Sequence, residues 1–163
     1  MPSPLYQFDT NILLHLIRGQ STGLYIDATY RLQDQANTPL VCIVSHGEIW
    51  SLAREHAWGQ RKRLALEVML DILVTVDIRP DQVVAAYVDI EDVSRRTPGG
   101  AVKMGQNDLW IAAVAKVTGA TLLTCDRDFD HLDPGPITRI YVDPRSALPP
   151  APSQPPPSHG PTP

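Results

Sequence analysis

The sequence contains few cysteines and no long apolar segment. Its two cysteines, Cys42 and Cys125, lie in apolar, strand-like segments without CxxC spacing, so we expect buried free thiols and no disulfide framework. The longest apolar run has seven residues, 109–115, which is too short to span a membrane, and the N-terminus lacks the positive region and apolar core of a secretion signal. These absences predict a cytoplasmic protein that does not associate with membranes.

An excess of positive charge is also missing. With 14 basic and 18 acidic side chains the formal net charge is −4, which argues against a protein that coats nucleic acid through Lys and Arg but is compatible with a local basic rim. The 43% hydrophobic and 20% charged fractions are those of a globular protein. From residue 144 onward, nine of twenty residues are proline. We predict one folded domain over residues 1–143 and a disordered, proline-rich tail over 144–163, for which docking to a partner is the functional alternative.

Short apolar segments alternate with helix-like segments along the folded part. The predicted strands are Leu5–Phe8, Leu40–Val44, Leu73–Ile78, the segment after Gly119, and Thr138–Val142. The predicted helices are Ile12–Ile17, Ile26–Gln35, a segment that begins at Ser45, Gln60–Met69, a segment capped by Asp81, and the apolar helix around Leu109–Ala115. Because strands separated by helices favour parallel pairing, we predict an α/β fold, a three-layer sandwich with a mainly parallel central sheet.

The segment from Gly105 to Phe129 places acids at both ends of one buried unit. Asn107-Asp108 begins a nearly all-apolar helix, Gly119 ends it, and Asp126 and Asp128 follow the next strand. A helix that is apolar on every side is normally buried. The acids at its edges are therefore expected to share one rim of the domain.

Two further acids come from the first half of the chain. Asp9 follows the first predicted strand, and Glu48 lies just after the second. Ligands of open α/β sheets bind beyond the carboxyl ends of the strands, so four or five carboxylates would meet at one edge. Each acid also has a purely structural explanation: a helix cap for Asp9, a capping box for Ser45-x-x-Glu48, the positive end of a helix for Asp108, and a turn for Asp126.

The acids make more sense as a set. Clustered carboxylates repel and raise one another's pKa unless a cation offsets their charge, so a bound divalent metal is the economical explanation. All-oxygen ligands favour Mg²⁺ or Mn²⁺ over zinc. Such a site suits phosphodiester hydrolysis, in which the metal activates a water molecule and neutralises charge on the phosphate, and no nucleophilic side chain is required.

The ordered set of motifs resembles the PIN-domain ribonucleases, and within them the VapC-type toxins of bacterial toxin-antitoxin pairs. The motifs are Asp9-Thr10-Asn11, Glu48, Asn107-Asp108 with the small and apolar residues behind it, and Thr124-x-Asp126-x-Asp128-Phe129. The match extends from about Leu5 to Val142. The resemblance implies an endoribonuclease that leaves a 5′-phosphate and a 3′-hydroxyl, that forms a homodimer, and that is inhibited by an antitoxin whose cationic side chain covers the acidic pocket.

The resemblance also implies a role for each motif residue. Asp9, Glu48, Asp108 and Asp126 would hold Mg²⁺ or Mn²⁺, with Asp128 as an additional acid. Hydrogen bonds from Thr10, Asn11, Asn107 and Thr124 would support the site. Cations at the rim would contact RNA, and we expect Arg18, Lys103 and Arg127, together with Arg95 and Arg96, to lie in or beside loops near the acids. Ordinary solvated charge is the alternative for each of these cations.

The motifs of the sequence exclude some other functions and leave two alternatives open. A zinc deaminase needs a P-C-x-x-C that is missing here, and no HExxH, G-x-S-x-G, GxGxxG or Walker motif occurs. A phosphatase or phospho-accepting signalling domain stays open, because it also gathers acids at strand ends, as does a catalytically inactive PIN-like protein that binds RNA. We interpret Trp50, Trp58 and Trp110 as core or interface residues rather than base-stacking platforms.

Overall fold

A five-stranded parallel sheet forms the centre of the fold. The computed structural model describes residues 3–32, 36–98 and 104–149. The strands are β1 (Tyr6–Phe8), β2 (Leu40–Cys42), β3 (Val74–Val76), β4 (Thr121–Thr124) and β5 (Thr138–Tyr141). Their order in the sheet is β3-β2-β1-β4-β5, and every adjacent pair is parallel.

Helices cover both faces of this sheet. They are α1 (Thr10–Arg18), α2 (Ser21–Tyr30), α3 (Ile43–Glu55), α4 (Gln60–Ile72), α5 (Asp81–Arg96) and α6 (Gln106–Thr118), with a short 3-10 helix at Asp130–Leu132. One hydrophobic cluster joins the sheet to α1–α4, and the other joins it to α5 and α6. The predicted three-layer α/β sandwich is therefore confirmed.

Alternation along the strands explains the two clusters. Leu122 and Leu123 of β4 are both fully buried, but Leu122 packs in the cluster of α5 and α6, whereas Leu123 packs in that of α1–α4. Successive side chains of a strand point to opposite faces, so β4 must be apolar throughout. Burying each such side chain contributes roughly 1.5–3 kcal/mol. Gln7 of β1 is buried as well, and its Nε2 donates to the carbonyl oxygen of Ile111 at 2.8 Å, which ties the sheet to α6.

Glycines mark two places where a side chain would not fit the backbone. Gly119 ends α6 in the left-handed conformation with φ 68°, as the sequence predicted, because glycine adopts positive φ without steric cost. A Cβ at Gly23 in α2 would lie 2.2 Å from the carbonyl oxygen of His15 in α1. This close approach allows α2 to pack directly against α1.

Several predicted boundaries were wrong. The strand predicted for Leu40–Val44 ends at Cys42, and α3 begins at Ile43 rather than at Ser45, since a short apolar run does not distinguish a buried strand from the start of a buried helix. The second helix lies at Ser21–Tyr30, earlier than the predicted Ile26–Gln35, whose residues 33–35 lie outside the described ranges.

Smaller boundary differences concern the other elements. Helix α4 extends to Ile72, α5 begins at Asp81 with Pro80 as its cap residue, β3 is limited to Val74–Val76, and β5 ends at Tyr141. Residues 142–149 form no helix or strand, and residues 150–163 of the predicted tail lie outside the described ranges. No helix in the described ranges is long and apolar enough to cross a membrane.

Both cysteines are free thiols in the structure, as predicted. Cys42 is buried and Cys125 is half-buried. Burial raises the pKa of both thiols to about 11, so both are protonated at neutral pH. A protonated thiol is a poor nucleophile and a poor metal ligand.

Candidate active site

The strand order directs attention to one point on the sheet edge. After β1 the chain builds outward through β2 and β3, and it then returns to add β4 and β5 on the other side of β1. Open α/β sheets bind ligands where the strand order reverses in this way, beyond the carboxyl ends of the strands. Asp9 directly follows β1, and Asp126 comes two residues after β4. These two acids therefore flank the reversal point.

Asp9 is a buried carboxylate that is fixed by several donors. Only 3% of its surface is exposed. Its Oδ1 accepts from the Thr10 amide N–H at 2.7 Å, and its Oδ2 accepts from Asn11 Nδ2 at 2.8 Å and from Thr124 Oγ1 at 2.6 Å. Burial nevertheless raises the pKa of Asp9 to about 6, with a contribution from Glu48, although these hydrogen bonds lower it. Asp9 is also the cap residue of α1, as the sequence predicted. It therefore caps a helix and lines an acidic cleft at the same time.

Glu48 links α3 to two other elements. Its Oε2 accepts a short hydrogen bond from Thr10 Oγ1 in α1, and its Oε1 accepts from Asn107 Nδ2 in α6 at 2.8 Å. The capping box suggested for Ser45-x-x-Glu48 is wrong, because Ser45 lies inside α3 and the Glu48 side chain is directed toward α1 and α6. Glu48 is thus oriented by Thr10, which follows Asp9, and by Asn107, which precedes Asp108.

Asp108 lies in the first turn of α6 among the other acids. Burial, followed by the charges of Asp9, Asp126 and Glu48, raises the pKa of Asp108 to about 7. Neighbouring carboxylates raise a pKa in this way only when they lie close enough to repel. The charged form of Asp108 is therefore unfavourable in the protein alone.

Asp126 and Asp128 form a turn after β4. The Asp126 amide N–H donates to Thr124 Oγ1 at 2.9 Å, and the Asp128 amide N–H donates to Asp126 Oδ1 at 2.9 Å. The turn expected at Asp126 is therefore present and fixes its carboxylate. Burial, followed by the charge of Asp126, raises the pKa of Asp128, but Asp128 does not line the cleft that contains the other acids.

One cleft of about 710 Å³ brings the acids together. Its acidic lining residues are Asp9, Glu48, Glu55, Asp108 and Asp126, and none of the described residues that line it is Lys, Arg or His. The sequence reasoning missed Glu55 and Ser51, which lie seven and three residues after Glu48 on the same face of α3. That i, i+3, i+7 spacing was the signal that could have found them.

The cleft has the donors that a hard divalent ion prefers. Its ligand-type groups are all oxygens, which suit Mg²⁺ or Mn²⁺. Within the described residues no group of three or more His, Cys, Asp or Glu side chains is arranged closely enough to hold a metal ion by itself. Mg²⁺ usually takes only one or two direct carboxylates and keeps several waters, so an open acidic cleft fits this ion better than it fits a metal that requires a closed protein shell.

The predicted rim cations are scattered. Arg18 ends α1, about 12 Å along the helix axis from Thr10, so it does not lie beside the acids. Arg127 follows Asp126 and stacks on Tyr141, with 4.2 Å between the guanidinium carbon and the ring centroid. Arg95 and Arg96 lie in the last turn of α5, where they pair with Glu91 and Asp92. Lys103 lies outside the described residues.

The architecture and the site together define a parallel α/β protein with an acidic cleft at the reversal point of its sheet. The sequence of residues 6–134 matches the PIN domain family. This chain belongs to the PIN-domain family, which confirms the resemblance found in the sequence. Among curated protein sequences, none matches this chain.

Solved structures of toxin-antitoxin proteins are similar to this fold. VapBC2 from Rickettsia felis, bound to a DNA fragment from its promoter, has a TM-score of 0.69 and 19% identity and covers 85% of this chain and 99% of that chain. VapBC-5 from Mycobacterium tuberculosis has a TM-score of 0.61 and 21% identity, with 85% and 98% covered. A toxin-antitoxin complex from Klebsiella pneumoniae has a TM-score of 0.57 and 21% identity, with 82% and 98% covered. At these identities the likeness concerns the fold.

Proposed function

We propose that this chain is a metal-dependent endoribonuclease that hydrolyses RNA phosphodiester bonds. One observation carries the proposal: four segments that are distant in sequence bring Asp9, Glu48, Asp108 and Asp126 into a single cleft whose described lining contains no cation. Helix caps and turns are local features, so they do not explain why acids from distant segments lie together despite their mutual repulsion. Membership of the PIN-domain family supports the same conclusion.

The residues of the cleft divide into ligands and positioning groups. Asp9, Glu48, Asp108 and Asp126 would hold Mg²⁺ or Mn²⁺, and Asp128 would contribute through the turn that it forms with Asp126. When bound, the ion would activate a water molecule for attack on phosphorus and neutralise charge on the scissile phosphate. Thr10, Asn11, Asn107 and Thr124 keep the carboxylate oxygens in place through the hydrogen bonds described above.

The geometry argues against the phosphatase or phospho-accepting alternative. A phospho-accepting aspartate must be reached by the phosphoryl donor, but Asp9 is 3% exposed and both of its oxygens already accept hydrogen bonds. Asp126 is the other acid that follows a strand, and its Oδ1 already accepts a hydrogen bond from the Asp128 amide N–H. The inactive RNA-binding alternative would not need the complete acidic set.

We further propose that the protein is the toxin of a type II toxin-antitoxin pair. The support is the similarity in fold to the VapBC proteins of Rickettsia felis and Mycobacterium tuberculosis. An antitoxin would offset the charge of the cleft with a cationic side chain, and a homodimer and a cytoplasmic location are parts of the same proposal. Induced expression that arrests growth, together with relief by a small adjacent open reading frame, would support this role. Growth that is unaffected by active nuclease would count against it.

A cleavage assay tests the proposed activity. Purified protein is mixed with end-labelled RNA and Mg²⁺, Mn²⁺ or a chelator, beside the variants Asp9→Asn and Asp126→Asn and the surface control Asp71→Asn. We expect metal-dependent cleavage by wild type and by Asp71→Asn, and a loss of at least about a hundredfold in the two cleft variants. Intact RNA under every metal, or equal cleavage by all proteins, would refute the proposal.

A further inference from the structure

A second surface, on the side of α3 that faces away from the acids, combines cations with tryptophan. We define the α3–α4 cation surface by Trp50, Arg54, Trp58, Arg61, Lys62 and Arg63. Trp50, Arg54, Trp58 and Arg63 line a concavity of about 480 Å³. Cavities of this size, roughly 300–1,000 Å³, are typical of sites that take small molecules or parts of larger ligands.

Among the residues that the structure describes, the cations of this surface differ from most others because they form no ion pair with an acid. Other described cations form ion pairs with an aspartate or a glutamate, namely Arg79, Arg95, Arg96, Lys116, Arg127, Arg139 and Arg145. Within the described part of the chain, Arg54, Arg61, Lys62 and Arg63 form no such pair. Their charge is therefore available to an external anion, although the chain as a whole carries a net charge of −4.

Tryptophan rings hold two of these cations in place. The Lys62 ammonium lies 3.7 Å from the ring centroid of Trp58, and the Arg63 guanidinium carbon lies 5.9 Å from that of Trp50. A cation over an aromatic face is stabilised without losing its charge or its N–H donors. Such cations lose less conformational entropy when they bind an anion than freely moving side chains do.

The position of the basic run is unfavourable for the stability of α4. The first turn of this helix contains three cations, Arg61, Lys62 and Arg63. No acidic residue lies in that turn. The helix dipole disfavours cations at this end of a helix. Proteins break local rules of this kind at functional sites.

Helix α3 connects this surface to the acidic cleft. Glu48, Ser51 and Glu55 line the cleft, whereas Trp50 and Arg54 of the same helix line the concavity. Glu48 and Arg54 are separated by about 9 Å along the helix axis. Because the two surfaces lie on different sides of α3, a polyanion whose scissile phosphate lies in the cleft would pass around this helix, about 10–12 Å in diameter, and reach the α3–α4 cation surface several nucleotides away.

We propose that the α3–α4 cation surface binds the phosphate backbone of single-stranded RNA beyond the cleavage point. This inference rests on the proposed ribonuclease activity, since it places the flanking part of the same substrate. The surface contributes affinity rather than chemistry, because the acids of the cleft do not depend on it. Backbone phosphates are the fitting ligand, since unpaired cations held over aromatic rings offer charge and N–H donors but no pattern that reads a base edge.

Equilibrium binding in a chelator tests the inference without cleavage. Fluorescence anisotropy follows a labelled single-stranded RNA of about 16 nucleotides with wild type and Arg61→Ala/Arg63→Ala. The matched control is Arg79→Ala/Arg145→Ala, which removes the same charge from paired, exposed positions. We expect the first variant to bind about tenfold more weakly and to lower the slope of log K against log[salt] by about 1.4, as for two lost phosphate contacts. The control should bind within about twofold of wild type.

Variants of one tryptophan separate the role of the ring from that of charge alone. Trp58→Leu keeps an apolar side chain but removes the π face beneath Lys62, so we expect affinity to fall by about twofold to fivefold. Trp58→Phe keeps an aromatic face and should restore most of it. Circular dichroism melting checks that each variant is folded.

The outcomes distinguish this inference from the proposed activity. If RNA binding is unchanged in Arg61→Ala/Arg63→Ala while wild type still cleaves RNA with metal, this surface does not bind the substrate and the ribonuclease proposal stands. If the variant loses self-association instead of RNA binding, the surface is a protein interface and the inference is wrong. If the variant loses RNA binding but wild type cleaves RNA with none of the metals, the surface binds RNA, whereas the ribonuclease proposal fails and the placement of this RNA beyond a cleavage point fails with it.

Discussion

Thr124 Oγ1 donates a hydrogen bond of 2.6 Å to Oδ2 of Asp9, and this contact joins the ends of two adjacent strands. Thr124 is the last residue of β4, and Asp9 follows β1. The same hydroxyl accepts from the Asp126 amide N–H at 2.9 Å and from Asn11 Nδ2 at 3.4 Å. One buried hydroxyl thus positions the acids that flank the reversal point of the sheet.

Removing this hydroxyl should impair cleavage without unfolding the protein. Thr124→Val keeps the shape of the side chain but removes a donor that lowers the pKa of Asp9. We expect kcat to fall about 10–100-fold, as is usual for groups that orient metal ligands, and Thr124→Ser to keep most of the activity. Cleavage rates and thermal melting measure both effects. Equal rates for the Val and Ser variants would show that the hydroxyl has no positioning role.

Asp108→Asn should separate stability from activity. The pKa of Asp108 is raised to about 7 by burial and by three neighbouring acids, so at about pH 8 its charge destabilises the folded protein when no metal is present. We expect the variant to raise the Tm in chelator, by about 2–4 °C if the repulsion costs near 1 kcal/mol, and to abolish cleavage. Differential scanning calorimetry measures the Tm. A lower Tm than wild type would contradict the repulsion described here.

Stability without metal should decrease as pH rises. The unfolded pKa of an aspartate is about 3.9, whereas the folded values are about 6 for Asp9 and about 7 for Asp108. Through these two groups the folded state binds more protons than the unfolded state between about pH 4 and pH 7, and their stabilisation is lost as pH rises through this window. His15 and His46, whose pKa burial lowers, act in the opposite sense, so a variant that lacks both aspartates isolates their contribution. Melting temperatures in chelator over this range test the sign. In Asp9→Asn/Asp108→Asn this decrease should be much smaller, with a contribution left from Asp128, whose pKa is also raised. An unchanged decrease would assign it to other groups.

Divalent ions should stabilise the folded protein through the cleft acids. A ligand that binds only the folded state at about 100 times its Kd adds about 2.7 kcal/mol. We expect Mg²⁺ and Mn²⁺ to raise the Tm of wild type more at about pH 8 than at about pH 5.5, because protons compete for the carboxylates. KCl of equal ionic strength serves as the control for screening. A Tm increase of the same size in Asp9→Asn/Asp108→Asn would place the ion elsewhere.

Of the five acids that line the cleft, the sequence pointed to Asp9, Glu48, Asp108 and Asp126 but not to Glu55. Asp9 and Asp126 could be placed at one edge because parallel strands all end on the same side of a sheet. The helical spacing from Glu48 places Glu55 on the same face of α3, but packing of α3 against α1 and α6 decides whether that face lines the cleft over its whole length. Arg18 was misplaced because the length of α1 sets its distance from Asp9. Tertiary packing, rather than local pattern, determined these positions.

Structural roles and site roles coincide at several residues, which limits what the sequence alone can decide. Asp9 caps α1 and also lies in the acidic cleft. Asp126 holds a turn and presents its carboxylate to the same cleft. A pattern that predicts a cap or a turn therefore neither supports nor excludes a metal ligand. Only the arrangement of the acids in space distinguishes the two.

End-group analysis of the RNA fragments tests the central claim most directly. Wild-type protein is incubated with RNA in Mg²⁺ or Mn²⁺, and mass spectrometry identifies the new ends. Attack by water, supported by the carboxylates of the cleft, predicts a 5′-phosphate and a 3′-hydroxyl, formed only when the metal is present. A 2′,3′-cyclic phosphate with a 5′-hydroxyl would instead show attack by the 2′-hydroxyl of the RNA and would contradict the account.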